Sequence, residues 1–121
     1  MTRCPARTDV VLVALALVGL VLLVVASIGL ARAEDMPVFK IEMKDGTITP
    51  SRLTVPSGRP FKLEINNAGD TPAEFESLTL HKEKVLPGKT TSPMVIFRLE
   101  PGEYDFFDDF HPGSKAVLVA Q

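Results

Sequence analysis

The sequence predicts an all-β protein, a seven-strand Greek-key β-sandwich, placed behind an N-terminal hydrophobic helix. Three observations carry this expectation. From residue 36 onward apolar and polar residues alternate in short runs with a period of two, and no window sustains a helical period. The runs are punctuated by turn residues, drawn from ten prolines and eight glycines in the chain, at the spacing of a small sandwich. The one long apolar run without a charge, "VVLVALALVGLVLLVVASIGL", is confined to residues 10–30.

That run follows Arg3 and Arg7 and precedes Ala31-Arg32-Ala33, the order of an export signal, with Glu34 as the first residue after the cut. An export core runs about 7–15 residues, whereas a bilayer span needs about 20, so the segment is equally long enough to stay as an N-terminal anchor. Residues 1–33 are therefore expected to be a signal peptide or membrane anchor, and residues 34–121 the sandwich. Either way the sandwich faces the extracytoplasmic, periplasmic side, because the N-terminal positive charges stay inside. Membrane contact is confined to residues 10–30, if they are retained. The single cysteine, Cys4, precedes the apolar run and leaves the sandwich without a disulfide, so its stability rests on an apolar core.

Each strand is read in turn. Phe39, Ile41 and Met43 alternate with Lys40, Glu42 and Lys44 in a half-buried first strand, which Asp45-Gly46-Thr47 turns. The second lies around residues 53–55, where Pro50 and Pro56 confine it to an edge or interrupt its ladder. Phe61, Leu63 and Ile65 alternate with Lys62, Glu64 and Asn66 in the third, which closes on Asn-Ala-Gly. The fourth is the first half of "AEFESLTLHKEKVLPGK", and the second half reads as irregular or as one helical turn. "MVIFRL" and "EYDFFDD" are the fifth and sixth strands, joined by "EPGE", and "KAVLVA" is the seventh. All pairings are expected to be antiparallel.

Composition narrows the function. From Glu34 on, ten Lys and Arg face fourteen Asp and Glu, a net charge of −4, which suits cations and argues against nucleic acid. Ser77 and Ser92 have no histidine at a spacing that suggests a catalytic triad, and no phosphate loop is present.

The chemistry concentrates in "YDFFDDFHPGSK", residues 104–115. The two-residue period puts Tyr104, Phe106 and Asp108 on one face and Asp105, Phe107 and Asp109 on the other. The first face reads as core, so Asp108 directs a carboxylate inward, where a charge needs a positive or hydrogen-bonding partner. His111, beside Pro112-Gly113, can fold back toward it. Glu74 and Glu76 form a second acidic pair on one strand face, about 6.6 Å apart between Cα atoms. Three carboxylates and an imidazole make a hard, oxygen-rich donor set, suited to iron or copper(II) more than to copper(I). Glu74, Glu76, Asp108 and His111 are thus the candidate metal ligands, with Asp109, Met43 and His81 as further candidates. The structural alternative for each is ordinary: turn or solvated carboxylates, a core methionine, a surface histidine.

The same residues carry a resemblance. "EINNAGDTPAEFE" resembles the cupredoxin stretch in which an Asn-rich strand end leads to the first metal ligand, and "YDFFDDFHPGSKAVLVA" resembles the cupredoxin ending. The resemblance puts Glu74 at the family's first histidine, Asp108 at its cysteine and His111 at its C-terminal histidine, and "PGSK" is too short for the usual methionine. "AEFES", "LHKEKVLPGK" and "FFDDFHP" are similar to the EfeO-type cupredoxin-like domain, and most of all to the small periplasmic FtrB-like cupredoxins of bacterial ferrous-iron uptake. Ile48 stands where the EfeO-type domain tends to have cysteine, which removes a thiolate from the set. The resemblance implies an iron and/or copper ion as cofactor, Fe(II) oxidation or Fe(III) hand-over, a periplasmic iron-binding partner and a membrane iron permease. The rival readings are a metal-free module that docks a permease or periplasmic partner, and a copper carrier.

Overall fold

The computed structural model describes residues 7–28 and 35–121, and the chain divides into two compact units, Met1–Glu34 and Asp35–Gln121. In the first, Arg7–Ile28 forms one α-helix, α1. Its side chains are described over residues 8–19, and among the described residues no helix is long and apolar enough to cross a membrane. The export site at Ala31-Arg32-Ala33 and Glu34 lies outside the described residues.

The second unit holds nine strands: β1 (Val38–Lys44), β2 (Thr47–Thr49), β3 (Arg52–Val55), β4 (Phe61–Asn67), β5 (Ala73–Ser77), β6 (Lys82–Leu86), β7 (Thr90–Ile96), β8 (Gly102–Asp108) and β9 (Ala116–Ala120). They form a four-stranded sheet ordered β2-β1-β4-β7 and a five-stranded sheet ordered β3-β9-β8-β5-β6. The alternation read from the sequence sets the inner faces. Phe39, Ile41 and Met43 on β1 lie beside Leu63, Ile65 and Asn67 on β4, and Phe106 and Leu118 belong to the same core. Phe75 stacks on Phe106 with centroids 5.1 Å apart, and Phe39 meets Phe61 edge-on at 5.6 Å. Each fully buried phenyl ring stabilises the fold by about 1.5–3 kcal/mol through lost apolar surface.

The seven expected strands become nine, for two local reasons. Asp45 and Gly46 both take positive φ, 48° and 84°, which makes a two-residue hairpin turn, so Thr47 already belongs to the three-residue β2 rather than to the turn. Lys82–Leu86, expected to be irregular or helical, is the edge strand β6. An edge strand is wetted on both faces, so its sequence shows no clean alternation. The fifth expected strand shifts toward the N-terminus, to Thr90–Ile96, with Pro93 in its interior. β7 is itself an edge, where a missing N–H is tolerated. The expected all-antiparallel pairing is also corrected, because β1 runs parallel to β4 and β3 parallel to β9. The proline-flanked strand at residues 53–55 is β3, and it is an edge, as expected.

Candidate functional site

The register of β5 divides the predicted ligands. Phe75 lies opposite Asp108 and Glu76 opposite Phe107, so Asp108 shares the inner face with Phe75 while Glu74 and Glu76 point outward. Asp109, whose N–H donates to the Glu74 carbonyl at 3.0 Å, falls beside Glu74 at the end of that outer row. The structure therefore groups Glu74, Glu76 and Asp109 on one face, and Asp108 with His111 on the other side of the sheet.

Asp108 is 1% exposed, yet both of its carboxylate oxygens accept hydrogen bonds, three in all. Oδ1 accepts the backbone N–H groups of Glu74 at 2.9 Å and Phe110 at 3.1 Å, and Oδ2 accepts from His111 Nδ1 at 2.6 Å. The inward charge has the partners it needs. The loop is fastened by more bonds: Asp108 N–H donates to Ser114 Oγ at 2.8 Å, the Ser114 hydroxyl donates to the Asp108 carbonyl at 3.2 Å, and His111 N–H donates to the same carbonyl at 3.0 Å. The His111 side chain, 28% exposed, leans on the β1–β2 turn. A Cβ placed on Gly46 would lie 3.1 Å from the His111 Cβ.

Asn67, at the end of β4, organises the neighbouring loops. It is buried, its Nδ2 lies within hydrogen-bond distance of the carbonyls of Thr71, Leu86 and Pro87, and its Oδ1 accepts from Gly69 N–H. The Asn-rich strand end noticed in the sequence thus has a structural task, joining the four-stranded sheet to the end of β6. Met43, a further candidate, is fully buried among apolar side chains. His81 is exposed and takes a positive φ of 52°.

One acidic residue was missed. Glu83 on β6 lies directly opposite Glu76, a like-charge cross-strand pair of the kind that destabilises a sheet. Glu76, His81, Lys82 and Glu83 line one shallow cavity of about 240 Å³. No period in the sequence marks Glu83; its register opposite Glu76 is what brings it to the outer face. Lys82 and Lys84 fall opposite Ser77 and Phe75, on the other face, and the Lys82 ammonium sits 5.9 Å from the Phe97 ring centroid. Among the described residues no Lys, Arg or His forms an ion pair with Glu74, Glu76, Glu83 or Asp109. Partial burial, followed by the charges of Asp109, Glu76, Glu83 and Asp108, raises the Glu74 pKa above the ordinary carboxylate value. Among the described residues no three His, Cys, Asp or Glu side chains converge closely enough to hold a metal ion.

Two packed mixed sheets, with a histidine-bearing loop between the last two strands, define a class of small β-sandwich. Within that class the chain belongs to the cupredoxin-like domain family, whose model matches residues 13–120. Over 80 residues it is 36% identical to an uncharacterized protein of Rickettsia prowazekii (strain Madrid E), a match that covers 66% of this chain and 64% of that protein. The chain thus spans less than two thirds of the length of that curated relative. Among solved structures it is similar to a purple cupredoxin from Nitrosopumilus maritimus, with 16% identity, TM-score 0.53, and coverage of 68% of this chain and 98% of that one. It is also similar to the metal-binding domain, with Cu(I), of the Cu(I)-exporting P-type ATPase CopA of Streptococcus pneumoniae D39, with 13% identity, TM-score 0.61, and coverage of 75% and 91%. At these identities the likeness is one of fold.

The fold family raises the question of copper at the His111 pole. The residues there do not fit a thiolate copper centre: residues 35–121 contain no cysteine, and the Asp108 carboxylate is already bonded to two N–H groups and an imidazole.

Proposed function

We propose that this cupredoxin-like domain handles a hard metal cation outside the cytoplasm, and that the cation is iron on its way to a membrane permease. The observation that carries this reading is the outer face of β5, β6 and β8, which presents Glu74, Glu76, Glu83 and Asp109, none of them ion-paired among the described residues. Carboxylates are hard anionic donors, and Coulomb attraction grows with ionic charge, so such a face favours Fe(III) over Fe(II). That preference lowers the reduction potential of bound iron. It assists loss of an electron from Fe(II) to dioxygen or a redox partner protein, or it holds the Fe(III) formed until hand-over. Glu83 is exposed and Glu76 half-buried at the cavity where His81 offers a nitrogen donor, so their side chains can turn onto an ion, with copper(II) as an alternative occupant. The EfeO-type resemblance of "AEFES", "LHKEKVLPGK" and "FFDDFHP" supports the iron assignment, and the N-terminal apolar run supports export or anchoring in the periplasm.

The test is Fe(II) oxidation in air by stopped flow, together with metal titration of the full chain without a His tag, against Glu74→Gln/Glu76→Gln/Glu83→Gln. Faster oxidation or tighter Fe(III) binding by the wild type, diminished in the triple variant, is the expected result. An unchanged oxidation rate with no preference for Fe(III) leaves the second reading, a metal-free docking module, which the complete internal bonding of Asp108 favours.

A further inference from the structure

We infer that Asp108 and His111 form a structural clasp that closes the pole of the sandwich against metal, so that the position which the cupredoxin resemblance assigns to ligands is not where this chain takes up a cation. The exclusion of metal rests on the metal-handling reading above; the clasp itself does not.

Ligands held ready for an ion leave polar atoms without partners when the ion is absent. Here no buried side-chain nitrogen or oxygen lacks a hydrogen-bond partner among the described residues. For an ion to reach Asp108, which is almost wholly buried, it must lose its water and share a carboxylate that already accepts two backbone N–H groups at Oδ1 and the imidazole at Oδ2. Any part-buried N–H group displaced in this way would lose its acceptor, which costs free energy. The imidazole is held by its bond to Oδ2 and lies close to the β1–β2 turn, where a Cβ on Gly46 would come within 3.1 Å of the His111 Cβ. His111 Nε2 forms no hydrogen bond within the protein and is not among buried unpartnered atoms, so it meets solvent as a single donor rather than one of a converging set.

The arrangement has a mechanical consequence. The loop after β8 belongs to the five-stranded sheet, whereas Gly46 turns β1 into β2 in the four-stranded sheet. Asp108 fixes the imidazole, and the imidazole packs on that turn, which joins the two sheets at their polar end.

The experiment uses the full chain, with His111→Ala, Asp108→Asn and the triple glutamate variant above. Unfolding by urea should show His111→Ala and Asp108→Asn with folding equilibrium constants lowered about tenfold to a hundredfold, as expected when a buried group loses its partner. Nitrogen NMR of the metal-free wild type should show His111 protonated at Nδ1. Copper(II), added as a paramagnetic probe, should broaden the signals of Glu74, Glu76 and Glu83 before those of His111, and the affinity of His111→Ala should stay within about twofold of wild type. Loss of a ligand or of its hydrogen-bonded support commonly costs about 10–100-fold in affinity. A loss of that size in a folded His111→Ala, or first broadening at His111, overturns the inference while leaving the metal-handling reading intact. If His111→Ala does not fold, the clasp is supported and the broadening order in the wild type decides the exclusion. If the wild type binds neither copper(II) nor Fe(III), the metal-handling reading falls, and the clasp stands or falls on the unfolding and nitrogen data.

Discussion

Strand β5 separates two acidic regions that treat their carboxylates in opposite ways. On the inner side Asp108 is buried and meets three donors, so its charge is a means of fastening a loop. On the outer side Glu74, Glu76, Glu83 and Asp109 are partly or fully exposed and repel one another, and among the described residues none of them forms an ion pair. A buried carboxylate has to be satisfied within the protein, because no water is at hand. An exposed one can be left to solvent or to a ligand. The contrast shows that acidic residues adjacent in sequence, Asp108 and Asp109, meet opposite environments, the first bonded within the protein and the second open to solvent, according to the face on which each falls.

The sharpest way to break the contrast is Asp108→Ala, which leaves two N–H groups and an imidazole without their acceptor. Equilibrium unfolding should show a loss of about 3 kcal/mol or more. Should the loss be under about 1 kcal/mol, the inner carboxylate is as dispensable as the outer ones. Next in size is Asn67→Ala, which removes the side chain shared by three carbonyls and the Gly69 N–H; we expect about 2 kcal/mol by the same measurement. Gly46→Ala follows at about 1–2 kcal/mol for a side chain at φ 84°, and the nearby His111 signals should shift in the NMR spectrum.

On the outer face the sign reverses. Glu83→Gln relieves the direct Glu76–Glu83 repulsion and should raise stability by about 0.5 kcal/mol while weakening Fe(III) binding. A fall in stability would mean that the pair is bridged in the folded state. The smallest effect concerns pH. Glu74 has a folded-state pKa above its ordinary value, so the folded protein holds the proton more tightly than the unfolded chain does. Its contribution therefore favours folding at low pH and is lost as pH rises from the ordinary carboxylate value through the raised one. Comparing urea midpoints of wild type and Glu74→Gln across that window should show the wild type losing more stability than the variant as pH rises, with the difference shrinking in high salt.

Much of this was legible in the primary structure. The alternation of Phe39, Ile41 and Met43, and of Phe61, Leu63 and Ile65, assigns those side chains to the core before any pairing is known, because a strand sends successive side chains to opposite faces. The same rule put Asp108 inward and Asp109 outward, and the loop at Pro112-Gly113 suggested that the His111 imidazole folds back toward Asp108. What escaped was whatever depends on neighbours. β6 is wetted on both faces as an edge, and its pattern carries no period until β5 lies beside it. Glu83 became visible only through its register with Glu76.

The division has a physical cause. Side-chain periodicity, turn chemistry at Asp45-Gly46 and the apolar character of residues 10–30 are local properties, determined by the covalent geometry and polarity of a few consecutive residues, and the sequence alone decided them. Which strands pair, and whether they run parallel as β1 with β4 and β3 with β9, depends on contacts between residues distant in the chain. The same holds for the fate of each carboxylate. Asp108 found its donors in Glu74, Phe110 and His111, and the first of these is 34 residues away. Only the packed sheets, by bringing that N–H to the carboxylate and shutting out water, made one acidic residue a fastener and left its neighbour facing solvent.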